Sequence, residues 1–248
     1  GGNSSYSASA GSILLGTQAN NFANRVVTLN GVNGSDVSFR NIAANAAYPV
    51  IGAANLDDLT IIFNAAPVAI QTRTLTGNLA ITAGGAITQA GGALDVGGST
   101  TLTAGSGNNI TLDQNANDFT GPVSIVSGNT VTLDNNNNPL FLGASTVSGN
   151  LVVENAGAVT DSGAIAVAGT SNFGSVGAIP SLVLNNGASF GGIVDLDVTG
   201  AVTLTSISSD LRMEGLPGAI PASPVTVGGP ITLSTTGGNI SLALAAAG

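Results

Sequence analysis

The sequence has no cysteine, histidine, tryptophan or lysine among its 248 residues. Without cysteine the chain can form neither disulfide bonds nor thiolate metal sites. Four arginines are its only basic side chains, against 13 acidic residues, and they leave a net charge of −9. Proteins bind nucleic-acid backbones through clustered Lys and Arg, so this composition argues against a nucleic-acid partner.

Long apolar runs are also missing. No run approaches the ~18 residues that a membrane-spanning helix needs, so the sequence predicts no membrane insertion. No charged segment followed by an apolar one marks a signal peptide, and residues 1–5 look like a mature or trimmed end. What is present is 43% apolar residues and 36 glycines, with Asn, Ser and Thr supplying most of the polarity. This mixture predicts many short strands and many turns.

A long-period repeat runs through the sequence. Residues 77–79 (Gly-Asn-Leu) recur as residues 149–151, and residues 85–88 (Gly-Ala-Ile-Thr) recur as 157–160 (Gly-Ala-Val-Thr), both at an offset of 72. After a one-residue slip near Gly91 the offset becomes 71. The repeat predicts that equivalent residues take equivalent places in a modular fold.

The repeat also predicts the domain organisation. We interpret residues 77–147 and 149–218 as two copies of one unit, with partial units at both ends of a single elongated domain spanning residues 1–248. The amino-terminal copy is spaced differently, because the offset from Ile13 to its counterpart Ile110 is 97, which is 72 plus 25. The excess is close to a third of 72, so we expect coils of about 24 residues, three to each unit.

Apolar residues alternate with polar ones in the segments between turns. Examples are Leu79/Ile81, Ile110/Leu112, Val123/Ile125 and Val131/Leu133. A period of two is that of a strand with one buried face, and no segment shows the apolar stripe of a helix. Short strands that recur in every coil predict an all-β parallel β-helix, or β-solenoid, in which stacked coils share one core. About ten coils would make a rod roughly 50 Å long.

Two segments break this rhythm. Residues 41–57 have no clear counterpart, and residues 215–224 contain three prolines, which remove donors from a sheet ladder. We expect both to form loops on the side of the rod, where binding residues would be found if the protein has any.

Three motifs resemble the repeats of filamentous-haemagglutinin-like exoproteins, the very large bacterial surface adhesins exported by two-partner secretion or related routes. They are G-G-A-I-T-Q-A-G-G-A-L (84–94), G-N-N-I-T-L-D-Q-N-A-N-D-F-T-G (107–121) and S-T-V-S-G-N-L-V-V-E-N-A-G-A-V-T-D-S-G (145–163). The resemblance covers residues 77–174 well and the rest loosely. It implies a right-handed β-helix, an exported protein at the bacterial cell surface, and a structural or adhesive role.

The resemblance also limits which part of such an exoprotein this chain matches. The amino-terminal secretion domain and a carboxy-terminal effector domain are not recognisable, so the chain looks like an interior section or a shorter relative built of repeats. The expected partners are neighbouring repeats, or copies of the chain itself end to end, together with surface glycans or proteins of host or neighbouring cells.

Carboxylates are the candidates for chemistry. Asp195 and Asp197 alternate with apolar residues, so we expect both on the solvent face of one strand. A paired-carboxylate glycosidase would use such a pair, as would a β-helix enzyme acting on acidic polysaccharides, for which Asp57 and Asp58 offer a second pair. The chain has neither a histidine base nor a lysine clamp, so we favour a solvated strand face and a protein without catalytic residues.

Two further patterns suggest ligands. Asp113, Asn115, Asn117 and Asp118 place oxygen ligands in one turn, as a calcium ion would require, but a corner with side chain–backbone hydrogen bonds is the simpler interpretation. Thr-x-Thr pairs occur at 74/76, 101/103, 130/132 and 203/205. Such ladders can bind ice on flat solenoids. At the offset of 71, Thr101 and Thr103 become Asn172 and Gly174, so strand propensity explains the pairs better.

Phe22, Phe119 and Phe190 recur at one position of the module, and we expect them to be a stacked core or corner element. The sequence therefore predicts a non-catalytic shaft segment of a secreted surface protein, with no catalytic, cofactor-binding or metal-binding residue. A self-assembling filament subunit is the alternative, because the chain stops in mid-pattern at residues 239–244 without a polar cap.

Overall fold

The computed structural model describes residues 2–175, 177–207, 210–214 and 225–243. Within them the chain forms 28 strands and no helix, and paired strands run parallel. The strands are β1 (Ser4–Ser7), β2 (Ile13–Leu15), β3 (Val27–Asn30), β4 (Val37–Asn41), β5 (Val50–Ile51), β6 (Asn55–Leu56), β7 (Leu59–Phe63), β8 (Val68–Leu75), β9 (Leu79–Ala83), β10 (Ile87–Val96), β11 (Thr100–Thr103), β12 (Ile110–Leu112), β13 (Asp118–Phe119), β14 (Val123–Ser127), β15 (Val131–Leu133), β16 (Leu140–Leu142), β17 (Ser145–Val147), β18 (Leu151–Val153), β19 (Val159–Asp161), β20 (Ile165–Val167), β21 (Ser171–Phe173), β22 (Leu182–Phe190), β23 (Ile193–Val198), β24 (Val202–Ser206), β25 (Leu211–Glu214), β26 (Thr226–Val227), β27 (Ile231–Thr235) and β28 (Ile240–Ala243).

Two long parallel sheets run the length of the molecule. Sheet I has 13 strands and begins at β2, sheet II has 12 strands and begins at β6, and a short third sheet joins β1, β3 and β5. From β6 onward the chain passes back and forth between the long sheets, so each turn adds one strand to both. The predicted all-β parallel β-helix of about ten coils is confirmed.

A continuous apolar core fills the space between the sheets. In β7, Leu59, Ile61 and Phe63 are buried while Thr60 and Ile62 face outward, as the period of two predicts. The buried side chains form one cluster extending from Ile13 to Val225. Each such residue contributes roughly 1.5–3 kcal/mol by leaving water, and a single coil could not bury them alone.

Most coils are shorter than the sequence analysis predicted. Leu59 pairs with Leu79, and Leu79 pairs with Thr100, so these successive coils advance the chain by 20 and 21 positions. An advance of 24 positions occurs between Ile13 and Val37, near the amino-terminal end. The predicted length of 24 residues came from the offset of Ile13, which includes this longer coil, and from dividing the repeat unit into three equal coils.

The repeat unit spans three coils plus the step from one long sheet to the other. Leu79 lies in β9 of sheet I, whereas its counterpart Leu151 lies in β18 of sheet II. Ile110 lies in sheet II and its counterpart Leu182 in sheet I. The two sheets present the same alternation of buried and outward residues, so one sequence unit fits in either.

Most coils have a third, shorter face. In β10 the strand bends at Gly91, whose φ of 120° favours glycine, and the register shifts between Ala90 and Leu94. The slip found in the sequence repeat falls at this bend. In this coil the strand of the third face comes directly after the strand of sheet II. In later coils β17 and β20 come directly after strands of sheet I, because the second repeat unit lies one sheet further along the coil.

Glycines stack where the chain turns into sheet I. A Cβ on Gly98 would lie 2.6 Å from the carbonyl oxygen of Gly77 in the coil before, and a Cβ on Gly121 would collide with Gly98. These corners pack backbone against backbone, so residues with a side chain do not fit.

Residues 41–57 are built into the rod rather than forming a separate loop. Within them β5 pairs with β3, and β6 pairs with β8. Their first residue, Asn41, is buried and donates a hydrogen bond to the carbonyl of Ala23 at 2.9 Å. The predicted loop at 215–224 lies outside the described residues.

The phenylalanines stack differently from the prediction. Phe119 and Phe190 are fully buried, while Phe22 is half-buried. The ring of Phe22 stacks on Phe39 with centroids 5.3 Å apart, and Phe39 meets Phe63 edge to face. These rings are core elements, but neighbouring coils rather than the sequence repeat determine which ones touch.

Candidate functional site

The strand that carries Asp195 and Asp197 does not present both to solvent. Asp195 is 3% exposed and Asp197 is half-buried, so the expected solvated face is wrong for Asp195. Its Oδ2 accepts a hydrogen bond from Asn172 Nδ2 at 3.3 Å, and its Oδ1 is buried without a partner. Alternation predicts to which side of the strand a side chain points, but not whether other parts of the chain cover that side. A buried Asp195 is not placed to act with Asp197 on a polysaccharide.

Burial changes the electrostatics of Asp195. Loss of hydration raises the pKa of its carboxyl group, a hydrogen bond from the Leu196 backbone opposes this rise, and the charge of Asp197 adds to it. The pair is therefore a buried carboxylate beside a half-buried one, and no basic group contributes to the pKa shift of Asp195.

Asp57 and Asp58 stabilise turns between coils. Asp58 Oδ1 accepts hydrogen bonds from the backbone N–H of Asn78 at 2.6 Å and from its side chain at 3.1 Å. Asp57 Oδ1 accepts one from Thr76 Oγ1 at 3.0 Å. Asn78 in turn accepts hydrogen bonds from Ser99 in the next coil. One oxygen of each carboxylate accepts hydrogen bonds within the rod, which gives the pair a structural role.

The candidate calcium turn separates into inward and outward residues. Asn117 is completely buried; it accepts a hydrogen bond from the Leu94 N–H at 2.9 Å and donates to the carbonyls of Leu112 and Asp134. Asp113 is exposed. Asn117 therefore forms a corner with side chain–backbone hydrogen bonds rather than presenting an oxygen to a cation.

An acidic column, which sequence reasoning missed, runs along this edge. Three strands of sheet II, β12, β15 and β18, are each followed directly by an acidic residue: Asp113, Asp134 and Glu154, respectively. Burial raises the pKa of Asp134 and of Glu154, and the charge of Asp113 adds to both shifts. A shallow cleft of about 140 Å³ lies beside Asp134 and Glu154. In the part of the chain that the structure describes, no three acidic side chains approach closely enough to hold a metal ion.

One column of threonines was missed by comparing repeat units. Thr88, Thr111 and Thr132 stand side by side in three successive coils of sheet II. Thr101 has Ala80 and Ser124 as neighbours in sheet I, so it does not recur as threonine in the next coils, as expected. The residue compared with it, Asn172, lies in the other sheet, because equivalent residues of the two units lie in different sheets. The column gives sheet II a row of uncharged hydroxyl groups without assigning it a ligand.

A second open groove lined by described residues has a volume of about 410 Å³. Small side chains such as Ala144, Ala164 and Ala166 form its floor across successive coils, and the exposed Val126 and Ile207 lie at its margins. It has few polar groups and no charged one, so its chemistry does not select a ligand.

These observations define the class of protein. It is a parallel β-solenoid built from repeats, with polar side chains committed to holding coils together. A family model described as repeats of unknown function (DUF5649) matches residues 53–126 and 128–197, which is more than half of the chain. The chain belongs to this family of repeats. No curated protein and no solved structure matches it.

The matched stretches begin at residues 53 and 128, about one coil before the units that start at 77 and 149. A continuous solenoid has no natural starting point, so units of similar length can be drawn in either phase. Among the described residues, no helix is long and apolar enough to cross a membrane.

Proposed function

We propose that this chain is a structural and adhesive shaft segment of a secreted bacterial cell-surface protein. One observation carries the proposal: a single apolar core continues through about ten coils, from Ile13 to Val225, in a chain made of family repeats. In such a stack each coil contacts its neighbours alone, so adding repeats adds length without changing the cross-section. The resemblance of residues 77–174 to adhesin repeats supports export and an adhesive setting.

Three properties of the surface suit a shaft. The outward face of sheet II carries a threonine column, the net charge of −9 keeps rods apart, and no cysteine can cross-link them. The described polar groups bond along the axis, as Asp58, Asn78 and Ser99 do, so coils are linked at their corners as well as through the core.

Localisation tests this role most directly. Antibodies against the purified chain should label intact cells that carry its gene, and external protease should remove the epitope while a cytoplasmic marker survives. In-frame removal of whole coils should shorten the surface protein without abolishing export. Labelling that requires cell lysis would overturn the proposal.

Self-assembly into filaments is the second candidate, and the last described coil favours it. Ile231, Ile240 and Leu242 are 38%, 41% and 48% exposed, whereas their pairing partners Val202, Leu211 and Met213 are buried. Among the described strands, β27 and β28 are the last of the two long sheets, and edge strands of this kind can pair with a further strand. A further coil from any source would satisfy both features.

Microscopy separates the two roles. Negative-stain images of the purified chain across a hundredfold range of concentration should show single rods roughly 50 Å long for a shaft segment, and lengthening fibres for a filament subunit. Ile240→Asp with Leu242→Asp should abolish fibres, while Val126→Asp, at an exposed apolar residue in the middle of the rod, serves as the matched control.

A further inference from the structure

Two neighbouring coils in the middle of the rod are joined incompletely. The first coil contains β12, β13 and β14, and the next contains β15, β16 and β17. In sheet II the two backbones pair without a break, since β12 and β15 match from Ile110 with Val131 to Leu112 with Leu133. On the other two faces the backbone pairing is interrupted. We call this interface between residues 110–127 and 131–147 the joint.

In sheet I the backbone ladder stops after one position. β14 pairs with β16 at Val123 and Leu142 alone, and backbone pairing resumes at an isolated bridge from Gly128. Between these points the N–H of Ile125 finds its acceptor in a side chain, because it donates to Ser145 Oγ at 3.1 Å. The buried Ser145 therefore supplies a bond across the joint that a backbone carbonyl supplies in a regular ladder.

On the third face a side chain replaces a whole strand. Among the described strands, β13 pairs with β10 of the coil before and with none of the coil after. Asn135, which is completely buried, takes the place of the missing strand. Its Oδ1 accepts a hydrogen bond from the Phe119 N–H, and its Nδ2 donates to the Phe119 carbonyl at 3.4 Å. Across the joint, sheet II alone keeps an unbroken backbone ladder.

The interfaces on either side of the joint are complete. In the coil before, β10 pairs with β12 and β13, and β11 pairs with β14. In the coil after, β15, β16 and β17 pair with β18, β19 and β20, respectively. The joint also coincides with the boundary between the two family repeats, since one match ends at residue 126 and the next begins at 128. The incomplete pairing therefore lies where one repeat meets the next.

We propose that the joint is a hinge, at which the sheet I side opens while sheet II stays paired. In a stack of repeats each coil is stabilised by its neighbours, so opening begins at the interface with the weakest bonds. The side chains of Ser145 and Asn135 hold the hinge closed. A rod with such a joint bends between two repeats without unfolding the coils on either side. The hinge depends on these local bonds and is independent of the proposed adhesive role.

Amide hydrogen exchange followed by NMR tests the hinge in the intact chain. After correction for intrinsic rates, Ile125 and Phe119 should exchange at least ten times faster than Leu102 and Val96, the residues paired with them in the coil before. All four residues are buried, so each pair differs in its bonds across the joint. Equal protection within both pairs overturns the proposal.

Dilute urea distinguishes a hinge from unfolding of the whole chain. Opening the joint exposes little surface, so exchange of Ile125 and Phe119 should be nearly independent of urea, whereas exchange of Leu102 should rise with it. The same urea dependence for all three amides would show that the rod opens as one unit, which overturns the hinge.

A variant on one face should be felt on the other if both faces open in one motion. Ser145→Ala removes a bond in sheet I and should speed exchange of the Phe119 amide, on the third face, about 3- to 10-fold. Ser124→Ala is the matched control, because within the described chain its hydroxyl on β14 bonds to no protein group, and Phe119 exchange should stay unchanged. An unchanged Phe119 in a folded Ser145→Ala chain would mean that the faces open separately. If that variant does not fold, the comparisons in the parent chain decide.

Pulsed electron paramagnetic resonance tests the direction of bending. Spin labels on Ala80→Cys and Thr160→Cys lie four coils apart in sheet I, and labels on Ala69→Cys and Val152→Cys lie four coils apart in sheet II. Both pairs span the joint at about 19 Å, and the chain has no native cysteine to take a label. The sheet I pair should give the broader distribution, extended to longer distances. Equal widths, or a broader distribution in sheet II, would overturn a hinge about sheet II.

Discussion

Leu79 and Leu151 hold the same place in the sequence repeat but lie in different sheets of the solenoid, Leu79 in sheet I and Leu151 in sheet II. Both are buried, at 0% and 2% exposure. The same segment therefore packs equally well on either side of the core. The number of strands before the segment decides which sheet it enters. A deletion that changes this number should therefore move the segment from one sheet to the other.

Deleting residues 77–148 should move the remaining carboxy-terminal part of the rod from one sheet to the other. Gly149 would then follow Thr76, and Leu151 would enter sheet I in the place of Leu79. Val152 would stand where Ala80 stood, beside Thr60. Neighbouring parallel strands are ~4.8 Å apart, which suits a disulfide. Thr60→Cys with Val152→Cys should therefore cross-link in the deletion variant.

The chain has no native cysteine, so the cross-link reports this pair alone. The full-length double-cysteine variant is one control, since its Thr60 and Val152 lie in different sheets. The second control deletes residues 79–99, one coil, which joins Asn78 to Thr100 and leaves Val152 in sheet II. Oxidation followed by non-reducing electrophoresis measures the result. A cross-link in either control, or its absence in a folded 77–148 deletion, would contradict interchangeable sheets.

The sequence predicted which residues are buried better than it predicted the length of a coil. Alternation identified the buried residues of β9, β12 and β14, because the side of a strand to which a residue points is a local property. Coil length is not local: the offset between Ile13 and Ile110 includes the first coil, from Ile13 to Val37, which is longer than most. Comparing repeat units also missed the threonine column of Thr88, Thr111 and Thr132, because equivalent residues of the two units lie in different sheets rather than in neighbouring coils.

The surfaces were less predictable than the core for a related reason. Asp195 was placed correctly on its strand, yet its burial depends on contacts outside that strand. Unsatisfied buried groups become visible after every coil has been stacked.

Asn117→Ala should be strongly destabilising. Asn117 bonds to the backbone of Leu94, Leu112 and Asp134, and its loss leaves the buried Leu94 N–H without an acceptor. We expect a loss of about 2–4 kcal/mol, since each unsatisfied buried group costs about 1–3 kcal/mol. Asn115→Ala, at an exposed asparagine of the same turn, should change stability by less than about 0.5 kcal/mol. Urea denaturation followed by circular dichroism measures both, and equal effects would refute the corner role.

Thr100 and Ser171 should tolerate loss of their hydroxyl groups. They occupy equivalent places in the two repeat units, and both are completely buried with a hydroxyl that has no partner. Replacing an unsatisfied polar group by an apolar one removes its desolvation cost, so Thr100→Val and Ser171→Ala should be neutral or stabilising by up to about 1 kcal/mol. Ser145→Ala is the contrasting control, because Ser145 Oγ accepts a hydrogen bond from the Ile125 N–H and donates to the Gly143 carbonyl. Thermal melting should rank Ser145→Ala as the least stable of the three; the reverse order would contradict the hydroxyl assignments.

Asp195 should make stability depend on pH in a defined direction. Burial, first of all, raises the pKa of its carboxyl group in the folded chain, so the folded state binds the proton more tightly than the unfolded state. Its contribution to stability is therefore gained as pH falls from neutral through the raised pKa, is complete below the ordinary carboxyl value of about 4, and is lost as pH rises again.

Asp195→Asn removes the titrating group and keeps its shape. At pH 7 the variant should melt about 2–4 °C above the parent chain, the shift that about 1 kcal/mol produces in a domain of this size. At pH 3 the two chains should melt together, because the parent carboxyl is then largely protonated in both states. Comparing each variant with its parent at the same pH cancels the effect of the overall charge. An equal gain at both pH values would show that the substitution acts through packing and that the buried carboxylate carries no cost.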